Sequence, residues 1–249
     1  MVKLPNSNNE TSSITIVVPT HNRAKSLRRL LSSLDGLVKI VPGEVTIVDD
    51  GSREHATGKV LSDWLHAEHS YVPKVVTNGR SHGPGFARNA GVKASSGNVI
   101  AFTDDDCIVE PNWLAGLVPR LVPDRHIVGV GGRVLPTVNS TISKYYSFHK
   151  ILEPPPSLLY LVSANCCYQR EALEEVGGFD EDIQNAGGED VGLSFKLARA
   201  GGGFAYAPDA VVYHDYRNNV LDFVRTFRNY GRGSRIVTEK HYGRSRSAG

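Results

Sequence analysis

The 249-residue sequence is most informative first in what it lacks. It has only three cysteines, Cys107, Cys166 and Cys167. An odd count with two of them adjacent is a poor disulfide framework and points to a reducing compartment. There is no CxxC pair, which removes the usual structural zinc site. Charge of either sign is scarce in the balance: 28 Lys and Arg against 26 Asp and Glu leave +2, too little for a nucleic-acid binder by bulk charge. No apolar run approaches the roughly 20 residues a membrane-spanning helix needs. The segment Met1 to Ser13 is polar, has no apolar core and reads as a flexible N-terminus, not a signal peptide. A cytoplasmic location is therefore expected, and Asn9-Glu10-Thr11 and Asn139-Ser140-Thr141 match the glycosylation pattern by chance. No internal repeat and no interdomain linker stand out. With 40% hydrophobic and 22% charged residues, the composition is that of an ordinary globular domain.

What is present begins with a regular alternation. Ile14 to Val18 is a β-branched run stopped by Pro19, as a buried strand would be. Lys25 to Leu34 then places Leu27, Leu30, Leu31 and Leu34 at helical spacing. Val45 to Val48 predicts a second strand, and Val60, Leu61, Trp64 and Leu65 mark a second helix. Lys74 to Thr77 and Val99 to Phe102 predict two more strands, with a helix over Gly85 to Ala94 between them. Four strand-helix alternations argue for a parallel sheet covered on both faces. The second half is less regular. A strand is expected over Val128 to Val134, an irregular excursion over Thr137 to Leu161, and helices over Arg170 to Val176 and Asp190 to Ala200. A short strand over Ala210 to His214 and a last helix from Val220 to about Ile236 follow.

In open α/β sheets, ligands bind at the carboxyl ends of the strands, and polar clusters gather there in this sequence. They are Pro19-Thr20-His21-Asn22-Arg23, Asp49-Asp50-Gly51-Ser52 and Asp104-Asp105-Asp106. Three like charges after an apolar strand repel and resist desolvation, which a divalent cation relieves. Asp side chains two apart in an extended segment share one side and could share that cation and a diphosphate. A solvated acidic turn capping a helix at Pro111 explains the triplet equally well. Gly83-Pro84-Gly85-Phe86-Ala87-Arg88 nearly matches GxGxxG, but it ends in Arg88 and follows the third strand, so a nicotinamide site is rejected. Arg88 there can hold phosphate, pair with a strand-end aspartate, or both. Glu189-Asp190 opens a helix, where acids act as caps or, in glycosyl transfer, as a general base. His214 ends a strand and becomes a plausible metal ligand beside the aspartates.

Taken together, the segments resemble the inverting glycosyltransferase family 2 with its GT-A fold. The resemblance runs through Val17 to Arg23, Val48 to Ser52, Ala87 to Gly91, Phe102 to Asp106, Val176 to Glu181, Gly188 to Leu193 and His214. It covers about Ile14 to Tyr230. It implies an α/β GT-A domain over 14–235, with a nucleotide-binding half over 14–106 and an acceptor half over 107–235. A basic, flexible tail over 236–249 follows. It further implies that Pro19, Thr20, Asn22, Arg23, Asp50, Arg88, Asp104 and Asp105 bind the donor nucleotide. Asp106, His214 and Asp104 would serve a Mn²⁺ or Mg²⁺ ion, and Asp190 would be the base, with Glu189 orienting the acceptor. Asn165 and Gly188 are expected near the acceptor. The expected partners are a nucleotide diphosphate sugar, UDP-type by Asp50, and a saccharide, lipid-linked or small-molecule acceptor, without nucleic acid.

Two departures sharpen this. Processive members carry QxxRW and membrane helices, and neither pattern is here, so transfer of one sugar is expected. A nucleotidyltransferase would place a glycine-rich basic loop after strand one, where Pro19 to Arg23 has no glycine. A non-catalytic relative could afford to lose Asp104, Asp106, Asp190 and His214. Finally, Arg225, Arg228, Arg232, Arg235, Lys240, Arg244 and Arg246 face a single acid, Glu239, near the C-terminus. They read as a solvated face or as a peripheral contact with an anionic membrane.

Overall fold

A computed structural model describes residues 14–121, 126–184, 187–216 and 219–242. The segment read as a flexible N-terminus lies outside the described residues, as do Arg244 and Arg246. The first half follows the predicted alternation: β1 (Ile14–Thr20), α1 (Ala24–Leu34), β2 (Glu44–Asp49), α2 (His55–Leu65), β3 (Val72–Thr77), α3 (Pro84–Ala94) and β4 (Val99–Thr103). All four strands run parallel, ordered β3-β2-β1-β4. After β2 and β3 are laid down on one side of β1, β4 is added on the other. That reversal makes a crevice between the carboxyl ends of β1 and β4. The β1–β4 ladder ends at Val17↔Phe102, while β1 itself continues through Pro19 to Thr20. Pro19 therefore lies past the ladder, where its missing N–H costs no bond to β4.

Strands buried on both faces feed two cores. Ile14, Ile16 and Val18 point to one core with the leucines of α1 and with Trp64 of α2, while Val17, Ile100 and Phe102 point to the other. Helix α3 lies on the second face at very short range. A Cβ added to Gly91 would sit 2.3 Å from Val17 Cγ1 and 3.0 Å from Val48 Cγ2, so only glycine allows this approach.

The second half adds β5 (Cys107–Val109), α4 (Trp113–Leu117), β6 (Ile127–Pro136), α5 (Thr141–Phe148), β7 (Asn165–Gln169), α6 (Arg170–Glu175), α7 (Glu189–Arg199), β8 (Gly203–His214) and α8 (Val220–Tyr242). The sheet continues as β4-β7-β6-β8-β5, with β7 antiparallel to both β4 and β6. Several elements depart from the sequence reading: β5 and α4 are absent from its run of expected strands and helices, and β8 begins at Gly203, well before Ala210. The excursion over 137–161 contains α5, which starts at a reciprocal cap between Ser140 and Ser143. The stretch just before Arg170, assigned no element from sequence, holds strand β7. The last helix continues past its expected end near Ile236 to Tyr242, so the first part of the expected tail is helical. What holds this end is Asp180: it accepts from Lys240 Nζ and His241 Nε2, each at 3.0 Å, and faces Lys196 Nζ at 3.3 Å.

Candidate active site

A cavity of about 700 Å³ opens at the carboxyl ends of β1, β2 and β4, where sheet topology places a ligand. Its walls come from those strand ends, the start of α3, the start of α7, the end of β8 and the inner face of α8. Pro19, Thr20, Arg23, Asp50, Arg88, Asp104, Asp105, Asp106, Gly188, Glu189, Asp190 and His214 all line it. Residues separated by more than 190 positions thus meet in one space.

Asp50 organises the end of the cavity beside β2. Its Oδ1 accepts from Asn78 Nδ2 at 2.8 Å, and its Oδ2 accepts from Ser81 Oγ, His82 N and Gly83 N at 2.8, 2.8 and 2.9 Å. Burial pushes the carboxyl up, but the bonds from Asn78, Gly83, Ser81 and His82 outweigh it and hold the group below its usual value. Three of the four bonds fall on Oδ2, so Asp50 anchors the turn over 78–83, while Oδ1 accepts only from Asn78 and keeps an accepting position. His21 Nδ1 lies 2.8 Å from the Asp50 carbonyl oxygen. Asn22 does not line the cavity. Its φ is 54°, and its Oδ1 accepts from Arg53 N at 2.8 Å and Glu54 N at 3.0 Å, which ties the two strand-end loops together from outside.

The acidic triplet is not extended. Cys107 N donates to the Asp104 carbonyl at 3.0 Å and closes a turn, so Asp104 faces Arg88 while Asp105 and Asp106 both meet Arg23 Nη1. Asp104 accepts from Arg88 Nη2 at 2.7 Å. Asp105 turns inward, accepting from Thr20 Oγ1 at 2.7 Å and from Arg23 Nη1 at 3.3 Å. Burial and the neighbouring Asp106 push its carboxyl up to about 7. Asp106 pairs with Arg23 and stands 3.2 Å from His214 Nε2. The paired metal ligation of Asp104 and Asp106 is therefore not what the turn presents: Asp104 is held by Arg88, and His214 is the residue beside Asp106.

Asp106, Cys107 and His214 place one ligand-capable atom each within 4.8 Å of one another. Burial raises the Cys107 thiol well above its usual value and keeps it protonated. The remaining carboxylate oxygen and imidazole nitrogen are a donor pair suited to Mn²⁺ or Mg²⁺ with oxygens from a diphosphate and water. The residues present thus fit a divalent cation.

Across α3, Arg88 joins the acidic turn to α7. Its side chain is 4% exposed, and Nη1 donates to Glu189 Oε1 at 3.0 Å. Glu189 also accepts from Gly187 N at 2.7 Å, so this buried carboxylate positions the loop before α7. Gly187 and Gly188 have φ of 124° and 99°, and helix α8 crosses them closely: a Cβ on Gly233 would meet Gly187 O at 1.6 Å. Asp190 follows on the first turn of α7, half-buried, with Ser163 N 3.4 Å from its Oδ2 and Val191 N 2.9 Å from its Oδ1. Desolvation first, then the charge of Glu189, push its carboxyl up to about 7 against the opposing Arg88. A carboxyl poised there is suited to general base work.

Asn165 is placed below the cavity and not in its wall. It is 1% exposed, accepts from Trp113 Nε1 at 2.8 Å, and donates to the Arg133 and Ala210 carbonyls at 2.8 Å each. All its capacity goes into joining α4, β6 and β8, which corrects its expected acceptor contact. Ser163, Tyr146, Tyr160, Tyr216 and Tyr230 also line the cavity, Ser163 beside Asp190. Ser163 Oγ is buried with no partner among the described residues. The tyrosines carried no distinct signal, because aromatic residues at helical spacing read as core; His21, inside a motif already noted, could have been found.

A parallel half with an acidic turn at its edge, closed by a mixed half bearing a second carboxylate, defines a GT-A fold protein. Solved structures agree on the fold. A mannosyltransferase from Pyrobaculum calidifontis in complex with GDP-Man and Mn²⁺ aligns with TM-score 0.72 at 22% identity, over 90% of this chain and 64% of that one. GalNAc-T7 with UDP, GalNAc and Mn²⁺ aligns with TM-score 0.68 at 22% identity, over 82% and 43%. The family model described as Glycosyl transferase family 2 matches residues 15–177, and the chain belongs to that family. Among curated relatives, a pre-mycofactocin glycosyltransferase of Mycobacterium tuberculosis is 32% identical over 239 residues, covering 92% of this chain and 48% of that protein. A chondroitin synthase of Escherichia coli is 23% identical over 240 residues, covering 81% and 34%. The chain thus spans about half the length, or less, of these relatives.

Proposed function

We propose that this chain transfers one sugar from a nucleotide diphosphate sugar to a hydroxyl of an acceptor, with inversion at the anomeric carbon and with a divalent cation. The observation that carries the reading is one cavity holding two unlike carboxylate sites. Asp106 lies beside His214 at one, and Asp190, raised to about 7, stands at the other. A carboxylate beside a histidine suits a cation, and a desolvated carboxylate raised to about 7 suits proton transfer, so the two sites divide a binding role from a proton-transfer role.

The nucleoside would enter between Pro19, Thr20 and the turn that Asp50 anchors, and a uridine donor is the favoured form. Asp106 and His214 would hold the cation, which when bound offsets charge on the departing diphosphate. Arg23, already facing the acidic turn, adds a cation at the same end. Asp190 takes the proton of the acceptor hydroxyl. The freed oxygen lone pair forms the new glycosidic bond as the bond to the diphosphate breaks, from the opposite side of the sugar. Ser163 and the tyrosine-lined wall position the acceptor. Asp190→Asn tests the assignment: donor affinity measured by calorimetry stays within about twofold, while kcat falls about 10² to 10⁴-fold, the range for loss of a general base. Equal loss of donor affinity would show that Asp190 binds the donor instead.

A further inference from the structure

We propose that the outer face of α8, together with the end of α5, docks on an anionic lipid bilayer and brings the acceptor end of the cavity near the membrane surface. The docking stands independently of the transfer chemistry; only its use in presenting an acceptor rests on that reading.

Helix α8 has two faces. Phe223, Phe227 and Tyr230 recur at i, i+4 and i+7 and point inward. Phe223 and Phe227 pack on Tyr145 of α5 at ring distances of 5.4 and 6.1 Å, and Tyr230 reaches the cavity. The opposite face opens with exposed apolar side chains: Val220 is 69%, Leu221 79% and Val224 57% exposed. On the neighbouring α5, Phe148 is 83% exposed. Four large apolar groups standing in water on two adjacent helices mark an interaction surface and not a core.

The chemistry of the rim selects the partner. Val220, Val224, Arg228 and Arg232 follow one another at i, i+4, i+8 and i+12, so the apolar row runs directly into a basic one. Lys144 precedes Phe148 by four residues and shares its face. Arg228, Arg232 and Lys144 are exposed, and none of them pairs with an acid among the described residues. The acids of α8 do not offset them: Asp222 is engaged by Arg225 at 2.8 Å, and Glu239 by Arg235 at 2.8 Å. Exposed apolar side chains beside unpaired cations are the pattern of a helix lying in a lipid interface, apolar groups entering the acyl boundary and cations meeting anionic headgroups. Among the described residues no helix is long and apolar enough to cross a membrane, so the contact is peripheral. The inner face of the same helix lines the cavity through Thr226, Asn229 and Tyr230, so docking by the outer face would hold the cavity one helix diameter, roughly 10 Å, from the lipid surface.

The test is co-sedimentation of the full chain with vesicles of phosphatidylcholine alone or with about one-third phosphatidylglycerol. Binding is expected on the anionic vesicles, weakened by high salt. Leu221→Ser with Val224→Ser should lower the partition coefficient about tenfold, and Arg228→Glu with Arg232→Glu should lower it by more than about tenfold. All four positions are exposed, and circular dichroism and the thermal midpoint should match the parent chain. Absence of binding to anionic vesicles, or equal binding to both vesicle types, would overturn the proposal. A concentration-dependent dimer that the Leu221 and Val224 substitutions dissolve would also overturn it, assigning the face to a second copy of the chain.

Discussion

Replacing Arg88 by methionine keeps the length of the side chain and removes its charge, and it tests how the site is held together. Arg88 is buried and bridges Asp104 at 2.7 Å and Glu189 at 3.0 Å. Removing one member of a buried ion pair strands its partners and costs about 3 to 5 kcal/mol. Asp104 is 27% exposed on its side chain and can recover water, whereas Glu189 is 6% exposed and cannot. The expected loss therefore lies near the lower bound, about 3 kcal/mol, which for a chain of this size lowers Tm by roughly 6 to 12 °C. A second readout follows from the same charge. Arg88 opposes the rise of the Asp190 carboxyl, so the variant should need a higher pH for transfer. Thermal unfolding followed by circular dichroism and a pH profile of kcat/KM measure the two effects. A loss below about 1 kcal/mol together with an unmoved pH midpoint would refute the bridging role.

Other expectations follow from the same geometry. In the parent chain, kcat/KM should rise with pH through about 7 and level off above it, because Asp190 must lose its proton to act; a flat profile from pH 5 to 9 would contradict this. Asp180 is held below its usual value, with Lys240 and His241 outweighing its burial. Its contribution to stability is therefore present at neutral pH and lost as pH falls through its folded value, and Asp180→Asn should be less stable at pH 7 by about 1 to 3 kcal/mol, with the difference vanishing in acid. Gly233→Ala puts a methyl carbon 1.6 Å from Gly187 O; it should displace α8 from the loop before Asp190, costing about 1 to 3 kcal/mol in urea unfolding and lowering kcat.

The first half was legible because parallel strands buried on both faces read as unbroken apolar runs, and their polar ends mark the site edge. Ile14 to Val18 and Val99 to Phe102 could hardly be anything else, and the strand-end motifs supply one edge of the cavity wall. What sequence could not supply was partners. Arg88 and Glu189 are 101 positions apart, and nothing local tells that they pair or that the same guanidinium takes Asp104 away from Asp106. The acidic triplet read equally well as an extended pair or as a turn, because a turn closed by Cys107 N leaves no residue-type signal. Asn165 looked like a polar contact beside an acceptor, yet three long-range hydrogen bonds absorb it. Strand β7 was hidden because its pairing with β4 and β6 is non-local, and α5 because its cap is a serine pair in a stretch rich in turn formers.

The central claim is a nucleotide diphosphate sugar site completed by a divalent cation at Asp106 and His214. Calorimetric titration of nucleotide diphosphates and nucleotide sugars, with and without Mn²⁺, tests it most directly. The account predicts that one nucleotide, uridine-type, binds in the presence of Mn²⁺, and that removal of the metal or Asp106→Ala weakens that binding by more than about tenfold. Folded protein that binds none of them, or that binds equally well without metal and in Asp106→Ala, would contradict it.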